Sequence, residues 1–119
     1  MTHVYLDAAL ASASDARGHI ANLIDAGQRL TFVGSAPDAV IAAFPDVARV
    51  EGLPAEPERG SWFVTAEPAR CAERPAGVRT LLIGPRVGRP PIPGPRCDTE
   101  ARDLAAAVLE ILAHDAMGS

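Results

Sequence analysis

The sequence predicts a single α/β domain over residues 1–119, with a mostly parallel five-stranded sheet and helices on both faces. Three observations carry this prediction. Short runs rich in Val, Leu, Ile and Phe recur along the chain, each apolar on both alternating sets of positions, as strands covered on two faces must be. Between them lie segments with helical spacing of apolar residues. Gly and Pro punctuate the junctions.

Val4–Leu6 is the first strand, running directly into Asp7. Ser12 or Ser14 can cap the helix that follows, whose apolar face is Ala16, Ile20, Leu23 and Ile24, with Gly27 as its stop. Leu30–Val33 is the second strand, closed by Gly34 and Ser35. Pro37 suits the first turn of a second helix, which carries Val40, Ile41 and Phe44. Val47–Val50 reads as a third strand at a sheet edge, followed by a polar loop from Gly52 to Gly60. Ser61–Thr65 is the fourth strand, rich in β-formers, and Glu67 and Pro68 open a short helical segment to about Glu73. Val78–Ile83 is the fifth strand. Residues 85–97, with Pro85, Pro90, Pro91, Pro93 and Pro95, predict an extended connection. A C-terminal helix over 98–116 is expected from the stripe Leu104, Val108, Ile111 and Leu112, with Asp98 or Thr99 as its cap.

A net charge of −4 argues against nucleic-acid or anionic-membrane binding through bulk electrostatics. No run approaches the ~18 apolar residues of a membrane span, and no basic-then-apolar leader opens the chain, so a cytoplasmic protein is expected. All eleven basic residues are arginine, which removes any chemistry that needs a lysine amine. Cys71 and Cys97 are far apart and outside any metal-ligand spacing; they read as free thiols. His3, His19 and His114 are scattered, with no nucleophile spacing that suggests a triad.

In parallel sheets, ligands sit beyond the carboxyl ends of the strands. Here those ends carry Asp7, Ser35, and Thr65 with Glu67. Each has a modest alternative: Asp7 as an acid capping a loop, Ser35 as a helix N-cap, Glu67 as an acid favoured by a helix N-terminus. The run Val4-Tyr5-Leu6-Asp7, the end Phe32-Val33-Gly34-Ser35, and Trp62–Pro68 followed by Gly77–Gly84 resemble the haloacid dehalogenase superfamily, as a core domain without a cap. The resemblance covers most of the chain through the order of short motifs. It implies a Rossmann-like three-layer fold with strand order 3-2-1-4-5 and Asp7 in the middle.

Transferred to this chain, the resemblance implies Asp7 as the nucleophile position of a phosphohydrolase, Ser35 as the phosphoryl-binding hydroxyl, and Asp7 with Glu67 as ligands for Mg²⁺. The pattern departs at decisive places. The general-acid position is Ala9, the position two further on is Ala11, the neighbour of Glu67 is Ala66, and no lysine exists. General acid–base help is worth roughly 10²–10⁴ in rate. The expectation is therefore a degenerate site with weak or no phosphohydrolase activity and a binding or regulatory role, serving a small phosphorylated ligand or a protein partner. The alternatives are an Mg²⁺-dependent phosphohydrolase using Asp7, and a receiver-like signalling domain. The last lacks support where it needs it, since the third strand runs into Arg49-Val50-Glu51 and the fifth ends in Gly84-Pro85. A capless core leaves its rim open, so a homo-oligomer is expected, using the alanine-rich last helix or the proline-rich segment.

Overall fold

In the computed structural model, residues 3–12, 16–35, 38–53, 60–67, 78–83 and 98–118 are described. They form six strands and three helices: β1 (His3–Asp7), α1 (Ala16–Asp25), β2 (Arg29–Val33), α2 (Asp38–Ala43), β3 (Ala48–Val50), β4 (Ser61–Thr65), β5 (Val78–Ile83), β6 (Thr99–Ala101) and α3 (Leu104–Gly118). A five-residue 3₁₀ turn, Ala8–Ser12, links β1 to α1. All strand pairs are parallel, and the sheet order is β3-β2-β1-β4-β5-β6. The expected α/β class and the order of the first five strands hold; a sixth strand is added outside β5.

The strands bury both alternating sets of side chains. One face carries Val4, Leu6, Leu30, Phe32, Trp62, Val64 and Leu81, packed against Ala16, Ile20 and Leu23 of α1, Val40 of α2, and Leu104, Ala107, Val108 and Ile111 of α3. The other face buries Tyr5, Val33, Phe63 and Val78, with Leu53 packed against them. Each large side chain withdrawn from water this way contributes about 1.5–3 kcal/mol. The three helices of the described residues all lie on the first face. The helix expected near 67–73, the connection 85–97 and both cysteines fall outside the described residues.

α1 ends where its sequence predicts. Gly27 adopts φ 86°, its N–H donates to the Ile24 carbonyl at 3.0 Å, and Gln28 N–H donates to the Leu23 carbonyl at 3.1 Å. That pair of bonds is a Schellman ending, which needs a residue free to be left-handed. Ile24 is a correction: it lies outside the buried stripe and is 39% exposed. Beyond the second helix, the short edge strand β3 is exposed along its whole length, as an edge position allows.

The C-terminal helix starts later than expected, at Leu104 rather than 98. Asp98, one of the two expected caps, is taken up by tertiary pairing. Thr80 donates to Asp98 Oδ2 from its N–H at 2.9 Å and from its hydroxyl at 3.2 Å, while Asp98 N–H donates to Thr80 Oγ1 at 2.8 Å. This reciprocal clamp draws Thr99–Ala101 alongside β5 as β6. Asp103 is the cap instead: its Oδ1 accepts from Ala106 N–H at 2.8 Å, and its carbonyl accepts the first helical bond from Ala107. The buried stripe of α3 is Leu104, Ala107, Val108 and Ile111; Leu112 is half-buried, and Leu109 points outward at 69% exposure.

One sheet face is stitched by hydroxyl groups. His3 Nε2 and Thr31 Oγ1 bond across β1 and β2 at 2.7 Å, Thr65 donates to Asp7 across β1 and β4, and Thr80 meets Asp98 at the β5–β6 boundary. Among the described residues no buried side-chain nitrogen or oxygen lacks a partner. The alternative caps are separable by mutation. Asp103→Ala should cost about 1 kcal/mol in urea unfolding, as loss of an N-cap does. A silent Asp103→Ala would return the helix start to Asp98.

Candidate functional site

The reversal of strand order falls between β1 and β4, the position at which doubly wound sheets open a crevice for ligands. β1 is flanked by β2 and β4, with Val4 opposite Trp62, Tyr5 opposite Phe63 and Leu6 opposite Val64. Continuing that register places Asp7 beside Thr65 at the carboxyl ends of the two strands. The sequence-predicted acid therefore sits at the switch point.

Its environment is a hydrogen-bonded network. Asp7 is buried, at 4% exposure, and Thr65 is fully buried. Thr65 Oγ1 donates to Asp7 Oδ2 at 2.9 Å, and Ala9 N–H donates to Asp7 Oδ1 at 3.3 Å. Thr65 Oγ1 in turn accepts from Glu67 N–H at 3.1 Å. Each strand thus ends in the same local device, a side-chain oxygen held by the backbone N–H two residues on. The threonine hydroxyl joins the two turns, using its proton toward Asp7 and a lone pair toward Glu67. A buried carboxylate is tolerable only when such bonds replace its lost water.

The predicted site residues divide on this geometry. Asp7 and Glu67 belong to one chain of bonds, but Glu67 enters it through its backbone, and its residue is exposed. Ser35 lies beyond β2, two residues past Val33, the register partner of Asp7, and is exposed on the same rim. It follows Gly34, whose φ of 96° turns the chain and whose N–H donates to the Val50 carbonyl at 2.8 Å. Among the described residues no group of three or more His, Cys, Asp or Glu side chains could hold a metal ion. Ala9, the position that the resemblance implies for a general acid, is exposed and carries only a methyl group.

Thr65 is the residue that the sequence places without assigning its task. Read along the chain it looks like the start of a helix; only the adjacency of β1 and β4 makes it the partner of Asp7. The available signal was a hydroxyl at a strand end in a sheet whose central strand also ends in an acid. The strand order also bears on the receiver-like alternative. That arrangement is 2-1-3-4-5, with the third strand beside the first; here β3 is an edge strand separated from β1 by β2.

Removing the Thr65 hydroxyl should destabilise the domain through Asp7. Thr65→Val is isosteric but removes the Thr65 hydroxyl bond from Oδ2 of a buried carboxylate, at a cost of about 1–3 kcal/mol in chemical denaturation. Thr65→Ser should recover most of that loss, since it keeps the hydroxyl. No protein-family model matches the chain, and no curated protein or solved structure matches it.

Proposed function

We propose that this chain is a Rossmann-like α/β domain of haloacid dehalogenase type whose catalytic set is degenerate. In this reading it binds a phosphorylated small molecule or a protein partner without efficient phosphoryl transfer. The observation that carries this reading is the engagement of both Asp7 oxygens. Oδ2 takes the Thr65 hydroxyl and Oδ1 the Ala9 N–H, so the acid works as an anchor between β1 and β4.

The chemistry around it supports the same reading. When a carboxylate attacks phosphorus, the leaving group must be protonated. Ala9 has no proton to give. Negative charge building on the transferring oxygens is normally met by cations or aimed dipoles. The chain has no lysine, and the residue before Glu67 is Ala66.

One observation favours a second reading, an Mg²⁺-dependent phosphohydrolase. The Asp7–Thr65–Glu67 chain holds both acids of the expected metal pair at one corner of the rim. Under that reading, Glu67 would turn its carboxylate toward Asp7 when a cation is supplied.

One assay separates the two. With millimolar Mg²⁺ and p-nitrophenyl phosphate, hydrolysis should stay at the buffer rate, and Asp7→Asn should leave it unchanged. Turnover that requires Mg²⁺ and disappears in an Asp7→Asn variant with native circular dichroism would overturn the degenerate reading and establish the hydrolase.

A further inference from the structure

On one side the sheet stops at β3, and that edge is open. All positions of β3 are exposed, as are Glu51 and Gly52 after it. Val50 leaves a large apolar side chain at the surface, at 37% exposure. The register pairs Arg49 with Phe32 and Val50 with Val33. Val50 therefore shares the sheet face that buries Val33, Tyr5 and Phe63, and Arg49 shares the face of Phe32. Glu51, at the bend that closes the strand, alternates back to the side of Arg49. Among the described residues neither Arg49 nor Glu51 forms an ion pair.

The backbone of this edge has a defined direction at each residue. Gly34 N–H donates to the Val50 carbonyl, so Val50 turns its polar groups inward to β2. Its neighbours on the strand turn theirs outward, because both groups of one residue point to one side and alternate along the chain. The N–H and carbonyl of Arg49 thus face away from the sheet, and Glu51 supplies the next outward set.

A second copy of the same edge, related by a two-fold axis, meets those outward groups in antiparallel registers. Centred on Arg49, the pairing sets two guanidinium groups directly opposite each other, which is repulsive. Centred on Val50, it sets Arg49 opposite Glu51 of the copy, and the symmetry makes that pair twice. The two Val50 side chains then meet in the closely spaced, non-hydrogen-bonded position.

We propose that this chain forms a homodimer by antiparallel pairing of two β3 edges about a two-fold axis at Val50. Arg49 N–H donates to the Glu51 carbonyl of the copy, whose Glu51 N–H donates back to the Arg49 carbonyl. Charges on a short edge strand ordinarily deter pairing. Here opposite signs two residues apart make the edge complementary to itself in this register. The contact consumes the edge, so assembly closes at two copies. It is smaller than the roughly 1,000 Å² of a stable interface, so the dimer exchanges readily with monomer. This surface is neither the last helix nor the proline-rich segment, and it does not rest on the reading of Asp7, two strands inward.

Sedimentation equilibrium from micromolar to millimolar protein should show a reversible monomer–dimer equilibrium with nothing larger. Arg49→Glu should weaken it by about tenfold or more, since two attractive cross-strand pairs become repulsive. Glu51→Arg should do the same, and the double exchange Arg49→Glu with Glu51→Arg should restore the dimer. Circular dichroism should stay native throughout, as both positions are exposed. In the unsubstituted chain, the Arg49 and Glu51 amide resonances should shift with protein concentration. A monomer at every concentration, growth beyond a dimer, or amide shifts that spare this edge would each overturn the proposal. A dimer that Arg49→Glu leaves intact, or that the double exchange does not recover, would overturn it as well and place the contact elsewhere.

Discussion

A carboxylate at the end of a strand buried on every side has to be satisfied by the protein, because water cannot reach it. β1 lies between β2 and β4 and under apolar layers on both faces. Asp7 at its tip therefore needs donors from its neighbours, and it takes one from Thr65 and one from the backbone of Ala9. The bond to Thr65 crosses the seam where the strand order reverses. It ties the half of the sheet built from residues before β4 to the half that follows. The same hydroxyl sets the turn after β4 through Glu67, so the rim takes its shape from this contact. These two bonds use two of the roughly four lone-pair sites of the carboxylate.

The device recurs along the sheet. Thr31 meets His3, Thr65 meets Asp7 and Thr80 meets Asp98, each hydroxyl lying on the face that also buries Tyr5 and Phe63. A β-branched hydroxyl suits this task. It fills a strand position as well as valine does and still brings a donor and acceptors into a dry layer. Leaving any of these hydroxyls unpaired would cost more than the bond itself contributes. The layer therefore specifies register at the same time as it packs.

The two ends of the sheet carry different polar groups. At the carboxyl ends Asp7 and Thr65 are taken up by internal bonds, while Ser35 and Glu67 are exposed. Toward the amino ends Arg79 lies over the Trp62 indole and bonds His114, and both residues are exposed.

The sequence by itself determined the α/β class, five strands within a residue or two, the C-terminal end of α1 and the position of Asp7 at a strand tip. Those features follow from local causes: apolar periodicity, a glycine able to turn left-handed, and the need of a parallel strand for apolar residues on both faces. Only the tertiary structure decided the rest. Asp98 reads as a cap of the last helix along the chain, and the clamp from Thr80 turns it into a strand anchor and leaves Asp103 to start α3. Thr65 became the partner of Asp7 because β4, 58 residues later, pairs with β1. Arg79, Trp62 and His114 meet for the same reason. Each of these contacts joins residues distant along the chain, and their chemistry depends on strand order and register, which no local pattern encodes.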